Sequence, residues 1–154
     1  MNTDLIRKAN ALLREAYASE PKPVIKNPSD CVALPTIRRQ SCAETERFTV
    51  LTLNGAHEVI RVHVVTKGLV NRTLAHPREV FRPAIKDNAV AIVVVHNHPS
   101  GNLIASDDDK ELTKRLMDAG EIIGINVLDH VIVSRRGYLS MASAGLINPQ
   151  SEAE

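Results

Sequence analysis

The sequence predicts an α/β fold, a single domain in which a mixed β-sheet is flanked by helices. Two β-rich runs surround an Asn-Gly turn, a continuous β-branched run follows at AVAIVVV, and amphipathic helical patterns lie on either side of that run. A chain of 154 residues that is 44% hydrophobic and 24% charged suits one globular domain and leaves little room for a second.

The first 30 residues are predicted to form a helix and a connector. Apolar residues recur at three- and four-residue spacing over residues 4–17, so we expect an amphipathic helix that packs as a peripheral arm. EPKPVIKNPSD contains three prolines and is predicted to be an extended connector. We expect the domain to cover residues 31–147 and a flexible tail to cover residues 148–154.

The first half of this domain is predicted to contain a hairpin and a helix. FTVLTL and HEVIRVHVV surround the dipeptide Asn54-Gly55, a pattern typical of two antiparallel strands. HPREVFRPAI places Pro77 near the first turn of a helix that extends to about Asn88.

The second half is predicted to continue the sheet. AVAIVVV is typical of a strand that is buried on both faces, and it ends directly at His96. After the loop NHPSGNLIA, Ser106 is expected to open a helix with three acids in its first turn, and Gly124 is expected to end it. INVLDHVIVS and GYLSM predict a further pair of strands.

Charge and cysteine content narrow the function classes. Lys and Arg number 19 against 18 Asp and Glu, so the whole-chain charge indicates neither a nucleic-acid nor a membrane partner. Residues 1–90 carry 14 basic and 9 acidic side chains, which leaves weak attraction to phosphate open. Cys31 and Cys42 form no CxxC pair, and we interpret both as free thiols. Since no apolar run is long enough for a membrane span, the predicted location is the cytoplasm.

Four polar residues around the end of the β-branched run predict a metal site. Alternate residues of a strand point to the same side, so His96 and His98 can direct both rings toward one point. Ser106 and Asp109 share one face of the following helix, which the loop can return to the strand end. Two imidazoles and a carboxylate suit zinc and leave a fourth position for an acidified water. Alternatively, Ser106 and Asp109 form a variant of the capping box, and both roles can coexist.

These residues also resemble a known signature. His96, one residue, His98, seven residues, Ser106, two residues and Asp109 match the HxH-x7-SxxD pattern of JAMM (MPN-domain) metalloproteases. HNHPSG, HPREVFRPAI and LDHVIV are similar to the RadC branch across roughly residues 45–142. The resemblance implies an MPN/JAB-like domain, with layering like that of cytidine deaminases, and a zinc-dependent hydrolase acting on a peptide or isopeptide-like amide bond. It implies that the two histidines and Asp109 bind the metal and that Ser106 stabilises the oxyanion.

The resemblance further implies a glutamate as general base, on a strand some fifty residues before the motif. Glu44, Glu46, Glu58 and Glu79 are the candidates. We choose Glu46, because it precedes FTVLTL in a "Glu, one residue, Phe" pattern that resembles RadC-like sequences. Glu79 is the second choice. The alternative for Glu46 is a solvated carboxylate at the strand edge.

Asp129-His130 invites a different interpretation, because a carboxylate can orient a metal-bound imidazole. We instead interpret His130 as a hydrogen-bonded strand histidine without a role in the site.

A second function is kept open by the association of RadC with DNA repair. In this hypothesis the chain is an accessory protein of DNA repair or of mobile elements, with DNA or a repair protein as its partner. Arg38, Arg39 and Arg72 would carry the DNA contacts. Longer RadC-like proteins carry a helix-hairpin-helix region for which the residues before the motif-bearing domain are too few, and this weakens the hypothesis. A metal-free scaffold ranks last, since a scaffold has no need of the complete His, His, Ser and Asp set.

Overall fold

The computed structural model describes residues 3–68 and 75–149, without the side chains of residues 17–19. Its helices are α1 (Thr3–Ser19), α2 (Pro28–Ala33), α3 (Pro35–Ser41), α4 (Pro77–Lys86) and α5 (Asp107–Ile123). Its strands are β1 (Arg47–Leu53), β2 (Val59–Lys67), β3 (Ala91–Asn97), β4 (Asn126–Ser134) and β5 (Gly137–Ser140). The predicted order of helices and strands from the hairpin onward is confirmed.

The five strands form one mixed sheet in the order β2-β1-β3-β4-β5. β1 is antiparallel to both β2 and β3, whereas β3 and β4 are parallel, and β5 returns antiparallel to β4. Parallel neighbours need a long crossover, which α5 provides. The α/β fold class and the single JAB-like domain are therefore confirmed.

Helices cover both faces of the sheet. On one face, Ile92 and Val94 of β3 join a core with side chains of α4 and α5. On the other face, Val93 and Val95 join a core with side chains of α2 and α3. Every residue of β3 is buried, as predicted from its continuous apolar run.

The predicted extended connector ends earlier than expected. Pro28 begins α2 and Pro35 begins α3, so the prediction of extended chain through Asp30 was wrong. Proline is tolerated at the first helical position because its missing N–H has no intrahelical partner there. The side chain of Asn27 accepts a hydrogen bond from the backbone N–H of Asp30 and caps α2. The domain boundary at residue 31 stays a prediction.

The β1–β2 hairpin is confirmed, but its turn is longer than an Asn-Gly dipeptide. Asn54 Oδ1 accepts hydrogen bonds from the N–H groups of Ala56 and Glu58, at 2.9 and 3.0 Å. The residue with positive φ is His57, at 58°, rather than either member of the dipeptide. The Asn54 side chain therefore organises a five-residue loop.

The N-terminal helix is confirmed, whereas its predicted packing is not seen in the described part of the chain. The side chains of residues 3–16 are all exposed, including Leu5 at 63% and Leu12 at 66%. Most of the predicted tail lies outside the described residues. In the parts of the chain that the structure describes, no helix combines the length and the apolar character of a membrane span.

Candidate metal centre

Strand β3 places His96 and His98 at its carboxyl end with their rings on the same side. The two Nε2 atoms lie 2.8 Å apart. The backbone N–H of His98 bonds to the carbonyl oxygen of Val133, at 3.0 Å, and so extends the pairing with β4 past the end of β3. Phe48, the cross-strand neighbour of His96 on β1, stacks on its ring at 6.1 Å between centroids. The sheet therefore fixes both rings.

The start of α5 supplies a carboxylate to the same point. Ser106 is the N-cap: its Oγ accepts the N–H of Asp109 at 3.1 Å, and its own N–H donates to Asp109 Oδ2 at 2.8 Å. Asp109 Oδ1 lies 3.3 Å from Nε2 of His96, and Oδ2 lies 3.6 Å from Nε2 of His98. The predicted capping box and the predicted approach to the histidines therefore both form, on one carboxylate.

A backbone carbonyl determines which nitrogen of His98 carries hydrogen in the neutral ring. His98 Nδ1 lies 2.7 Å from the carbonyl oxygen of Asn102. A carbonyl oxygen only accepts, so Nδ1 carries the hydrogen and Nε2 carries a lone pair. This lone pair faces His96 and Asp109.

The electrostatics of the cluster separate the two histidines. Burial lowers the pKa of His96 to about 4, and the nearby His98 adds to that effect while Asp109 opposes it. Asp109 raises the pKa of His98, because its carboxylate accepts the Nε2–H that the ring gains on protonation, and partial burial opposes this shift. Burial opposes ionisation of Asp109, but His98, His96 and the cap contacts from Ser106 together lower its pKa strongly. Asp109 is therefore an anion beside two imidazoles.

Glu46 is brought to this cluster from the segment before β1. One ligand atom each from Glu46, His96 and His98 lie within 4.8 Å of one another. Partial burial raises the pKa of Glu46, with His98 opposing and Asp109 reinforcing the shift. The carbonyl oxygen of Glu46 accepts the N–H of Gly68 at 2.6 Å, an approach so close that a Cβ on Gly68 would lie 3.1 Å from that oxygen.

The other candidate glutamates have different surroundings. Glu58 accepts a hydrogen bond from the Asn54 side chain in the hairpin loop, at 2.7 Å. Glu79 accepts the N–H of His76 at 3.2 Å in the cap of α4. Glu44 is exposed in the segment before β1. Among the described residues, the cluster with both histidines contains Glu46 alone of these four.

Asn97 was not predicted to serve the site. Its buried side chain points away from the histidines, as strand alternation requires. It accepts the N–H of Arg47 at 2.7 Å and donates to the carbonyl oxygen of Thr45 at 3.0 Å. These two groups belong to the residues before and after Glu46, so Asn97 holds the backbone that carries it. No pattern in the sequence indicates this contact between residues fifty positions apart.

His130 contacts one of the proposed metal ligands. Its Nε2 is 2.7 Å from Nδ1 of His96, and its Nδ1 is 2.6 Å from Oγ1 of Thr113. The carboxylate of Asp129 instead accepts hydrogen bonds from the backbone N–H groups of His130 and Ala142 and from a serine hydroxyl, rather than from the ring of His130. His130 is therefore the hydrogen-bonded strand histidine that the sequence predicted, but one of its partners is His96, and the partner of its Nδ1 is Thr113 rather than Asp129.

The donor set fits a zinc ion. Two imidazole nitrogens and a carboxylate form a ligand set found in catalytic zinc sites, and the same set accepts other divalent ions. The Nε2 atoms of His96 and His98 face each other and Asp109, and neutral His98 contributes no hydrogen to this contact from its own Nε2. A cation between such groups replaces repulsion by attraction.

Comparison with known proteins identifies the family of the chain. The profile of the RadC-like JAB domain matches residues 25–146. The chain is 46% identical over 127 residues to a UPF0758 protein of Rubrobacter xylanophilus, covering 82% of this chain and 55% of that protein. It is 38% identical over 144 residues to a UPF0758 protein of Desulfitobacterium hafniense, covering 92% and 63%. The chain thus spans a little over half the length of these curated relatives. From the profile match and these identities, the chain belongs to the RadC-like JAB domain family.

Proposed function

We propose that this chain is a zinc-dependent metallohydrolase that cleaves an amide bond of peptide or isopeptide type. The observation that carries the proposal is the convergence of the Nε2 atoms of His96 and His98 on the Asp109 carboxylate, with Glu46 beside them. The carbonyl of Asn102 engages the only N–H of neutral His98, so Nε2 of that ring faces the Asp109 carboxylate as an acceptor. Two acceptors that face each other suit a cation.

The residues around the cluster have the chemistry that such a reaction needs. A zinc ion held by the two histidines and Asp109 would supply Lewis acidity, which acidifies water and polarises a carbonyl. Glu46 accepts a proton from the attacking water and returns it to the leaving amine. Its pKa is raised by partial burial and by Asp109, against the effect of His98, which favours a group that both takes and gives a proton.

Ser106 would stabilise the negative oxygen that develops on the substrate. Its Oγ uses a lone pair to cap α5, which leaves the hydroxyl hydrogen free to donate. Ser106 is exposed, so a substrate can reach it.

Metal content is the first test of this function. Wild-type protein, stripped with a mild chelator and reloaded, should hold about one zinc per chain, and both His98→Ala and Asp109→Ala should lose it. Glu46→Gln should keep the zinc and lose amide hydrolysis in a substrate screen, whereas the matched variant Glu79→Gln should keep both. Folded wild-type protein that binds no zinc would sink the proposal.

The alternative is the accessory protein that binds DNA or a repair protein. Arg38 and Arg39 are exposed on α3, and Arg72 lies outside the described residues. DNA binding through the first two would appear as a salt-dependent affinity that the double variant Arg38→Ala, Arg39→Ala loses. Such binding by a protein that takes up no zinc would favour this alternative.

Location in the cytoplasm stays a prediction.

A further inference from the structure

A line of buried hydrogen bonds starts at Nδ1 of His96, on the side of the ring opposite to His98 and Asp109. His96 Nδ1 lies 2.7 Å from Nε2 of His130, and His130 Nδ1 lies 2.6 Å from Oγ1 of Thr113. The same Oγ1 lies 2.6 Å from the backbone carbonyl oxygen of Asp109. The line therefore begins at one proposed metal ligand and ends at the backbone of another.

The contact with the carbonyl sets the direction of the line. A carbonyl oxygen only accepts, so the hydroxyl hydrogen of Thr113 lies between Oγ1 and the Asp109 oxygen. Oγ1 then accepts the Nδ1–H of His130. A neutral imidazole has one N–H, so Nε2 of His130 accepts the Nδ1–H of His96. His96 therefore presents the lone pair of its Nε2 to the cluster.

The opposite direction is disfavoured at the Thr113 end. If the Thr113 hydroxyl donated to His130, its oxygen and the Asp109 carbonyl oxygen would lie 2.6 Å apart with no hydrogen between them. His96 would then carry its hydrogen on Nε2, 2.8 Å from Nε2 of His98, and would have to lose it before that nitrogen could bind a metal ion. Only the first direction joins the carbonyl of Asp109 to a metal-ready ring.

We infer that Thr113 and His130 are positioning residues that fix the neutral tautomer of His96, so that its Nε2 can bind a metal ion without a proton shift. This inference rests on the proposed metal site. His96 is 2% exposed and Thr113 and His130 are 0% exposed, so water does not compete for these bonds. Phe48 contacts both rings, stacking on His96 and meeting His130 edge-on, and limits their rotation.

The tautomer can be read directly in metal-free wild-type protein. The assigned direction of the hydrogen bonds gives each of the two rings one N–H, on Nδ1. Long-range ¹H–¹⁵N NMR of histidine-labelled protein should show the Nδ1–H tautomer for both. An Nε2–H tautomer at His96 would overturn the inference, whether or not the protein binds zinc.

Zinc affinity, measured by competition with a chromophoric chelator, gives a second readout. Thr113→Val removes the hydroxyl at nearly constant volume and should weaken zinc binding about 10- to 100-fold, with a mixed tautomer at His96. Thr113→Ser keeps the hydroxyl and should restore both properties. Thr52→Val is the matched control, because Thr52 is equally buried but donates to Asp87; it should bind zinc like wild type.

The outcomes separate this inference from the proposed function. Wild-type affinity and an unchanged tautomer in folded Thr113→Val would overturn the positioning role and leave the metal site intact. A wild-type protein that binds no zinc would sink the proposed function, while the tautomer of its His96 would still decide the direction of the hydrogen bonds.

Discussion

The side chain of Asn97 forms hydrogen bonds with the backbone on both sides of Glu46. It accepts the N–H of the residue after Glu46 and donates to the carbonyl of the residue before it, at 2.7 and 3.0 Å. The segment that carries both histidines therefore also fixes the position of Glu46, through Asn97, which lies between the two histidines.

Replacing Asn97 should loosen the segment around Glu46. Asn97→Ala leaves the Arg47 N–H and the Thr45 carbonyl without partners, which should lower the free energy of unfolding by about 1–3 kcal/mol. Hydrogen exchange at the Arg47 amide should accelerate in the variant. Asn54→Ala, which alters the distant hairpin loop, is the control and should leave that amide protected. Unchanged exchange at Arg47 in Asn97→Ala would contradict this assignment.

Asp87 should make stability depend on pH. Although burial opposes ionisation, hydrogen bonds from His63 and Thr52, at 2.6 and 2.7 Å, lower the pKa of Asp87 below its ordinary value. A carboxyl with a lowered folded-state pKa stabilises the fold above its ordinary pKa and loses that contribution as pH falls through the folded value. We expect Asp87→Asn to cost about 1–2 kcal/mol at pH 7 in urea unfolding, and this cost should shrink as the pH falls below the ordinary carboxyl pKa.

The control for this prediction is an exposed carboxyl on α5. Asp118→Asn should change the free energy of unfolding little at either pH, since Asp118 is exposed. A difference between wild type and Asp87→Asn that stays constant from pH 7 to pH 3 would rule out the ionic origin.

Gly120 should tolerate no side chain. A Cβ there would lie 2.4 Å from the carbonyl oxygen of Ile125 and 3.3 Å from the ring of Phe81. The steric clash in Gly120→Ala should therefore lower the free energy of unfolding by about 1–3 kcal/mol. The higher helix propensity of alanine, about 1 kcal/mol, opposes this loss. Gly55 has nothing within 4 Å of its Cβ position, so Gly55→Ala should be nearly neutral in the same urea titration. Equal stability of the two variants would show that α5 can move away from β4.

The two cysteines should differ in reactivity. Both are free, but Cys31 is buried while Cys42 is exposed. Burial raises the pKa of the Cys31 thiol to about 12, with Asp129 and Asp30 adding to the shift, so little thiolate forms at pH 8. Iodoacetamide should label Cys42 in native protein and both residues in urea, as read by mass spectrometry. Fast native labelling of Cys31 would mean that α2 opens from the sheet.

Local patterns were enough to predict most of the site. Alternation along a strand predicted that His96 and His98 face one point, and a three-residue spacing predicted the cap formed by Ser106 and Asp109. These relations depend on backbone geometry within one element, which residue spacing specifies. The succession of strands and helices along the chain, from the hairpin onward, followed from equally local signals.

Contacts that depend on pairing between distant strands were not predictable in this way. His130 reaches His96 because β4 lies parallel to β3, with His130 in register with Val94. Asn97 reaches the segment around Glu46 because β1 is the other neighbour of β3. The prolines at residues 28 and 35 misled for another reason, since the same residue type interrupts a helix in its interior and begins one at its first position.

The parallel pairing of β3 with β4 also sets when the centre can be completed during protein synthesis. His96 and His98 leave the ribosome before α5, and His130 follows only after that helix. Until β4 docks, the Nδ1 of His96 lacks its partner, and either nitrogen of the ring can carry the hydrogen. A nascent chain that stops near the end of α5 would hold the proposed ligands without the arrangement of protons that readies them for a metal, so the docking of β4 gives the centre its final form.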